Sequence, residues 1–239
     1  MAKSQKDIWH EIAAYAHEKG IKTRYKGKSW FMKLLGAILF FNPKFMTDYI
    51  TTIHRTVYWP GSEPEDVDTN QWITMAHECV HAYDSKRLTF PVFGFLVYLF
   101  PQSLAMGILL LLPLWVALAL LISAQWWWML LGFLFFVPFP SPGRLWAEMR
   151  GYSMTMACYY WYKGKPYSNM DFIVEQFTTG AYYWMWPFEK SVRKCLAQWQ
   201  KKIESGEYEK EVAIAGAIRK IIQGFVKSNS CSSKAQEES

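Results

Sequence analysis

The polar and apolar positions of the chain change rhythm several times, and each change marks an element. From Ser4 to Lys19, Ile8, Ile12, Tyr15 and Ala16 recur at helical spacing, which predicts an amphipathic helix stopped by Gly20. Lys22 to Lys28 reads as a basic connector. Trp30 to Phe41 is apolar apart from Lys33 and predicts a core helix or one lying in the headgroup layer, because it falls short of the about 20 residues that a bilayer span needs. Thr47 to Trp59 is rich in Thr, Ile, Val, Tyr and Trp, which predicts a strand closed by Pro60-Gly61. An acidic loop follows, and Asp68 or Asn70 is placed to cap a helix running from Gln71 to Ser85. On that helix Trp72, Met75, Ala76, Cys79, Val80 and Tyr83 form the packing side, whereas His77, His81 and Asp84 fall on another face.

The rhythm then stops. The 56 residues from Leu88 to Gly143 contain no Asp, Glu, Lys, Arg or His. At about 20 residues per helical span this run predicts two passes through a bilayer, a hairpin that returns the chain to the side it left. Helical patterning resumes over Arg144 to Tyr162, Asp171 to Tyr183, Glu189 to Glu204 and Tyr208 to Lys227, and the polar stretch from Ser228 to Ser239 reads as a disordered tail. The expected organisation is therefore residues 1–87, 88–143 as a membrane-inserted hairpin, 144–227 as a second helical part, and 228–239 as the tail.

Composition adds a few constraints. Mean hydropathy of -0.05 averages a very apolar middle with two polar flanks. A balance of 26 Lys+Arg over 20 Asp+Glu, +6 in all, suits anionic headgroups, while no basic stripe interleaved with stacking aromatics speaks for nucleic acid. Cys79, Cys158, Cys195 and Cys231 form no CxxC pair, so free thiols are expected. Charged residues early in the chain, among them Glu11 and Glu18, interrupt the apolar core that a secretion signal requires. Lys86 and Arg87 before the hairpin, with Arg144 and Arg150 after it, predict a catalytic part facing the cytoplasm.

The chemistry is concentrated in His77-Glu78-Cys79-Val80-His81. On a helix, HExxH projects two imidazoles from adjacent turns toward one Zn2+, and the intervening Glu sits where it can take a proton from water. His77 and His81 are the expected ligands and Glu78 the general base. A third ligand is needed. Glu148 is the first candidate, because it lies on the helix directly after the hairpin, flanked by Ala147, Met149 and Gly151. Asp84 is the rival, either as a ligand or as a support for a histidine's outer nitrogen. Tyr152 and Tyr183 are candidate catalytic residues for stabilising an oxyanion, with Tyr182 and Arg150 as further candidates. His54, on the strand before the motif, is a candidate for lining the cleft, and Cys79 is read as core.

These parts resemble gluzincin peptidases, in which HExxH is completed by a downstream Glu, and more narrowly the membrane zinc peptidases of the HtpX and CaaX-prenyl-protease type. The resemblance spans residues 70–160. Those families usually carry Asp four residues after the ligand Glu, where this chain has Tyr152. The resemblance implies a mainly α fold with a small β element (α+β), a zincin-like catalytic domain with an inserted transmembrane hairpin, and zinc-dependent cleavage of protein or peptide substrates at a lipid bilayer. Two other functions stay open on the residues: a zinc-containing membrane adaptor without activity, and a zinc hydrolase of a non-peptide amide.

Overall fold

The computed structural model describes residues 3–38, 43–61, 67–85, 140–180 and 184–237. The described residues are mainly helical, with one three-stranded sheet in the order β1-β3-β2. The chain divides into two compact units: Met1–Thr89, Arg150–Tyr167 and Gln198–Ser239 form the first, and Phe90–Met149 and Ser168–Ala197 the second.

In the first unit, α1 (Gln5–Glu18) is opened by a capping box between Ser4 and Asp7, and Gly20 follows its end at a φ of 76°. Of its predicted stripe, Ile8, Ile12 and Ala16 are buried and Tyr15 is half-buried, Trp9 is buried as well, and the helix packs on α3 (Thr69–Asp84). Lys22 to Tyr25, expected as a connector, is instead strand β1, paired in parallel with β3 (Thr56–Trp59). The single strand expected from Thr47 to Trp59 is a hairpin of β2 (Thr51–Ile53) and β3, turning at His54 with a φ of 51°. His54 is consequently an exposed turn residue rather than a strand residue facing a cleft. The helix α2 (Trp30–Ile38) lies between the sheet strands in sequence, and its Trp30 is 75% exposed.

The helix α3 is opened by a second capping box, between Asp68 and Gln71. Its packing side matches the sequence pattern: Trp72, Met75, Ala76, Cys79 and Val80 are all buried. Trp72 meets Tyr162 of α4 (Pro142–Lys163) edge-on at 5.6 Å, and Tyr162 in turn meets Phe225 of α8 (Ala215–Glu237). The helix α8 continues to Glu237, through residues expected as a tail, and Asn229 within it holds both the N–H and the C=O of Lys3.

In the second unit, α5 (Met170–Thr178) buries Ile173, Val174 and Phe177, and Arg193 of α6 (Glu189–Ser205) bridges Glu189 and Asp171. The short α7 (Tyr208–Glu211) belongs to the first unit. The expected hairpin, residues 88–143, falls outside the described residues except at 140–143. Among the described residues no helix is long and apolar enough to cross a membrane.

Candidate metal centre

His77 and His81 leave α3 one turn apart, and their Nε2 atoms lie 3.0 Å from each other. Two nitrogens bound to one tetrahedral zinc at about 2.0–2.1 Å would be about 3.3 Å apart, so the observed spacing is close to that of two ligands on a shared ion. Glu148 completes the group: its carboxylate oxygen and the two imidazole nitrogens all lie within 4.8 Å of one another. Glu148 is 6% exposed and His77 9% exposed. The donor set of two imidazoles and a carboxylate is one that can hold a metal ion.

The groups around these donors orient them. His77 Nδ1 lies 3.1 Å from Thr155 Oγ1, and the Thr155 hydroxyl donates a long bond, 3.5 Å, to the carbonyl of Gly151. With Nδ1 protonated, His77 would donate to the Thr155 hydroxyl and keep its Nε2 lone pair for a metal. Tyr152 packs its ring edge-on against His77 at 4.9 Å. Position 152 thus gives His77 an aromatic neighbour, and Thr155 gives its Nδ1 a polar one. Gly151 makes the close approach possible, since a Cβ there would stand 2.5 Å from His77 Nε2.

Asp84 is engaged elsewhere. Arg150 Nε and Nη2 donate to its two carboxylate oxygens at 2.5 and 3.0 Å, and both residues are buried. This pair ties the end of α3 to α4 and rules Asp84 out of the metal group that the described residues form. It also turns Arg150, a candidate for oxyanion stabilisation, toward Asp84. Beside it, Ser153 donates to the Arg150 carbonyl, and Tyr208 Oη lies 3.1 Å from Ser153 Oγ. Burial pushes the Tyr208 phenol well above its ordinary range.

Glu78 is held from the sheet, where the Thr52 hydroxyl of β2 donates to Glu78 Oε2 at 2.5 Å. Lys26, fully buried after β1, donates to the carbonyl of Phe45 at 2.5 Å and stands 4.0 Å from the Phe45 ring centre. Burial pushes the Lys26 ammonium down to about 8, against an opposing pull from the Glu78 carboxylate. Cys79 is a buried free thiol, raised to about 12 by burial and then by the Glu78 charge, in keeping with a core role.

Of the predicted site residues, the structure brings together His77, His81, Glu148 and Tyr152, and places Glu78 on the same helix turn. Tyr182 and Tyr183 lie outside the described residues. Thr52, Thr155 and Lys26 were missed, and among the supporting residues only Gly151 left a signal: a glycine inside a helix beside a candidate ligand. No protein-family model, curated protein or solved structure matches the chain.

Proposed function

We propose that this protein is a zinc-dependent metallopeptidase, anchored to a membrane through residues 88–143 and acting on proteins or peptides at the cytoplasmic side. The observation that carries the reading is the convergence of His77, His81 and Glu148, with Glu78 between the two histidines in sequence. The fit to zinc rests on the donor types, on the 3.0 Å spacing of the imidazole nitrogens and on the Thr155 hydroxyl beside His77 Nδ1. A bound zinc ion would supply Lewis-acid polarisation and a water whose pKa lies near 7.

The chain's own residues account for the proton transfers. Glu78 takes a proton from the attacking water and later delivers it to the leaving amine. The Thr52 hydroxyl holds one carboxylate oxygen of Glu78 and leaves the other for this exchange. Buried Lys26 places a positive charge near Glu78. Tyr152, in van der Waals contact range of the His77 ring, keeps that imidazole in orientation, and its phenol is the candidate for stabilising the oxyanion. A zincin-like arrangement with an inserted hairpin is the architecture this reading implies.

The test is Glu78→Gln in the full chain. The expected result is a loss of chelator-sensitive peptide cleavage by about 10² to 10⁴-fold with metal content unchanged. Undiminished cleavage would remove Glu78 from the mechanism. Unchanged biological activity in a variant that cleaves nothing would favour the adaptor instead.

A further inference from the structure

A cavity of about 360 Å³ opens beside the first two turns of α3. Its walls include Asp48 and Ile50 from the loop before β2, Trp59 from the end of β3, and Asp68, Gln71 and Thr74 from α3. Gln71, Thr74 and Glu78 are spaced i, i+3 and i+7, so the cavity lies along the helix face that carries the proposed general base. At a rise of 1.5 Å per residue, Thr74 is about 6 Å and Gln71 about 10 Å from Glu78 along the axis. The opposite wall leads to the same place, because Ile50 directly precedes β2, whose Thr52 donates to Glu78.

The lining has a definite chemistry. Asp48 and Asp68 are exposed carboxylates, and Asp68 uses one oxygen, Oδ1, to cap α3. Ile50 and Trp59 provide an apolar wall. Trp59 is 6% exposed, and its buried indole N–H has no acceptor among the described residues. A long cationic side chain matches these features: its methylene stem lies on the apolar wall and its charged head meets the carboxylates.

We infer that this cavity is a substrate subsite that takes a Lys or Arg side chain two or three residues from the cleaved bond. The count follows from the distance, since an extended peptide advances about 3.3 Å per residue. The inference rests on the peptidase reading and assigns it a specificity.

The experiment uses the full chain in detergent with zinc supplied, and a set of quenched peptides that differ by Lys, Gln or Glu at successive positions around one cleavage site. At a single position, Lys is expected to raise kcat/KM about fivefold over Gln, and Glu to lower it. In Asp48→Asn and in Asp68→Asn the Lys to Gln ratio is expected to fall toward one; asparagine keeps the cap of α3, so the second variant tests charge and not folding. Cleavage without preference in the wild type overturns the subsite alone, as does a ratio unchanged in both variants. Absence of any Glu78-dependent cleavage across the whole set overturns the peptidase reading and the subsite with it.

Discussion

Helices α3 and α4 carry two sets of buried and half-buried polar side chains, built on opposite principles. At the end of α3, Asp84 and Arg150 close on each other through two charge-assisted bonds, and the negative and positive charges cancel within the pair. One and two turns earlier, His81 and His77 bring ring nitrogens within 4.8 Å of a Glu148 carboxylate oxygen, a set of three metal-ligating groups. A cation is the partner that such a set accommodates best. A carboxylate therefore cannot be given a metal role from spacing alone: Asp84 stands three residues after His81 and Glu148 stands 67 after it, and what each faces decides between a fastener and a ligand.

The largest effect is expected from opening the closed pair. Arg150→Met leaves the Asp84 carboxylate buried and unpaired, and should cost about 3–5 kcal/mol in denaturant unfolding. Adding Asp84→Leu should return most of that loss, since two apolar residues leave no charge behind. A single variant with an unshifted midpoint would contradict the fastening role.

The ligand set should respond in the opposite currency, with function lost and stability kept. Gly151→Ala puts a methyl group against the His77 ring and should lower peptidase activity about a hundredfold, the overpacking offsetting the up to about 1 kcal/mol that a helix gains from replacing glycine. Thr155→Val removes the hydroxyl that holds His77 Nδ1 and should weaken zinc binding about ten- to a hundredfold in a chelator competition. A change in unfolding midpoint without a change in zinc affinity would make either residue merely structural.

The smallest effect concerns Lys26, which belongs to neither set. Its folded pKa of about 8 lies below the ordinary 10.5, so at pH 7 the buried ammonium opposes folding. Between these values the unfolded chain binds more protons, and stability should rise with pH by up to about 1 kcal/mol per unit. The Lys26→Met variant should lose this rise, as followed by denaturation at a series of pH values.

The parts of this account that were legible in the sequence depend on local spacing. His77, Glu78 and His81 were readable because four residues make about one helical turn, and the buried side of α3 because its apolar residues keep that period. Glu148 was readable as a carboxylate on the helix that follows the uncharged run. The partnership of Asp84 with Arg150 was not, because the two are far apart in the chain and only the crossing of two helices joins them. Thr52 and Thr155 were hidden for the same reason, since a hydroxyl gains its role from whatever tertiary neighbour it meets. Strand β1 was obscured by its Lys-Thr-Arg-Tyr sequence, where a half-exposed strand resembles a basic linker, and its partner β3 lies beyond α2. The turn at His54 also escaped notice, because residues 47–59 keep a strand-like composition through it.

The central claim is that His77, His81 and Glu148 together hold one zinc ion. Zinc stoichiometry combined with zinc K-edge absorption on the full chain and on Glu148→Ala addresses it most directly. The account predicts one zinc per chain, with imidazole nitrogens and a carboxylate oxygen at about 2.0–2.2 Å, and loss of tight binding in the variant. Zinc bound by Glu148→Ala as tightly as by the wild type, with the same absorption spectrum, would contradict it.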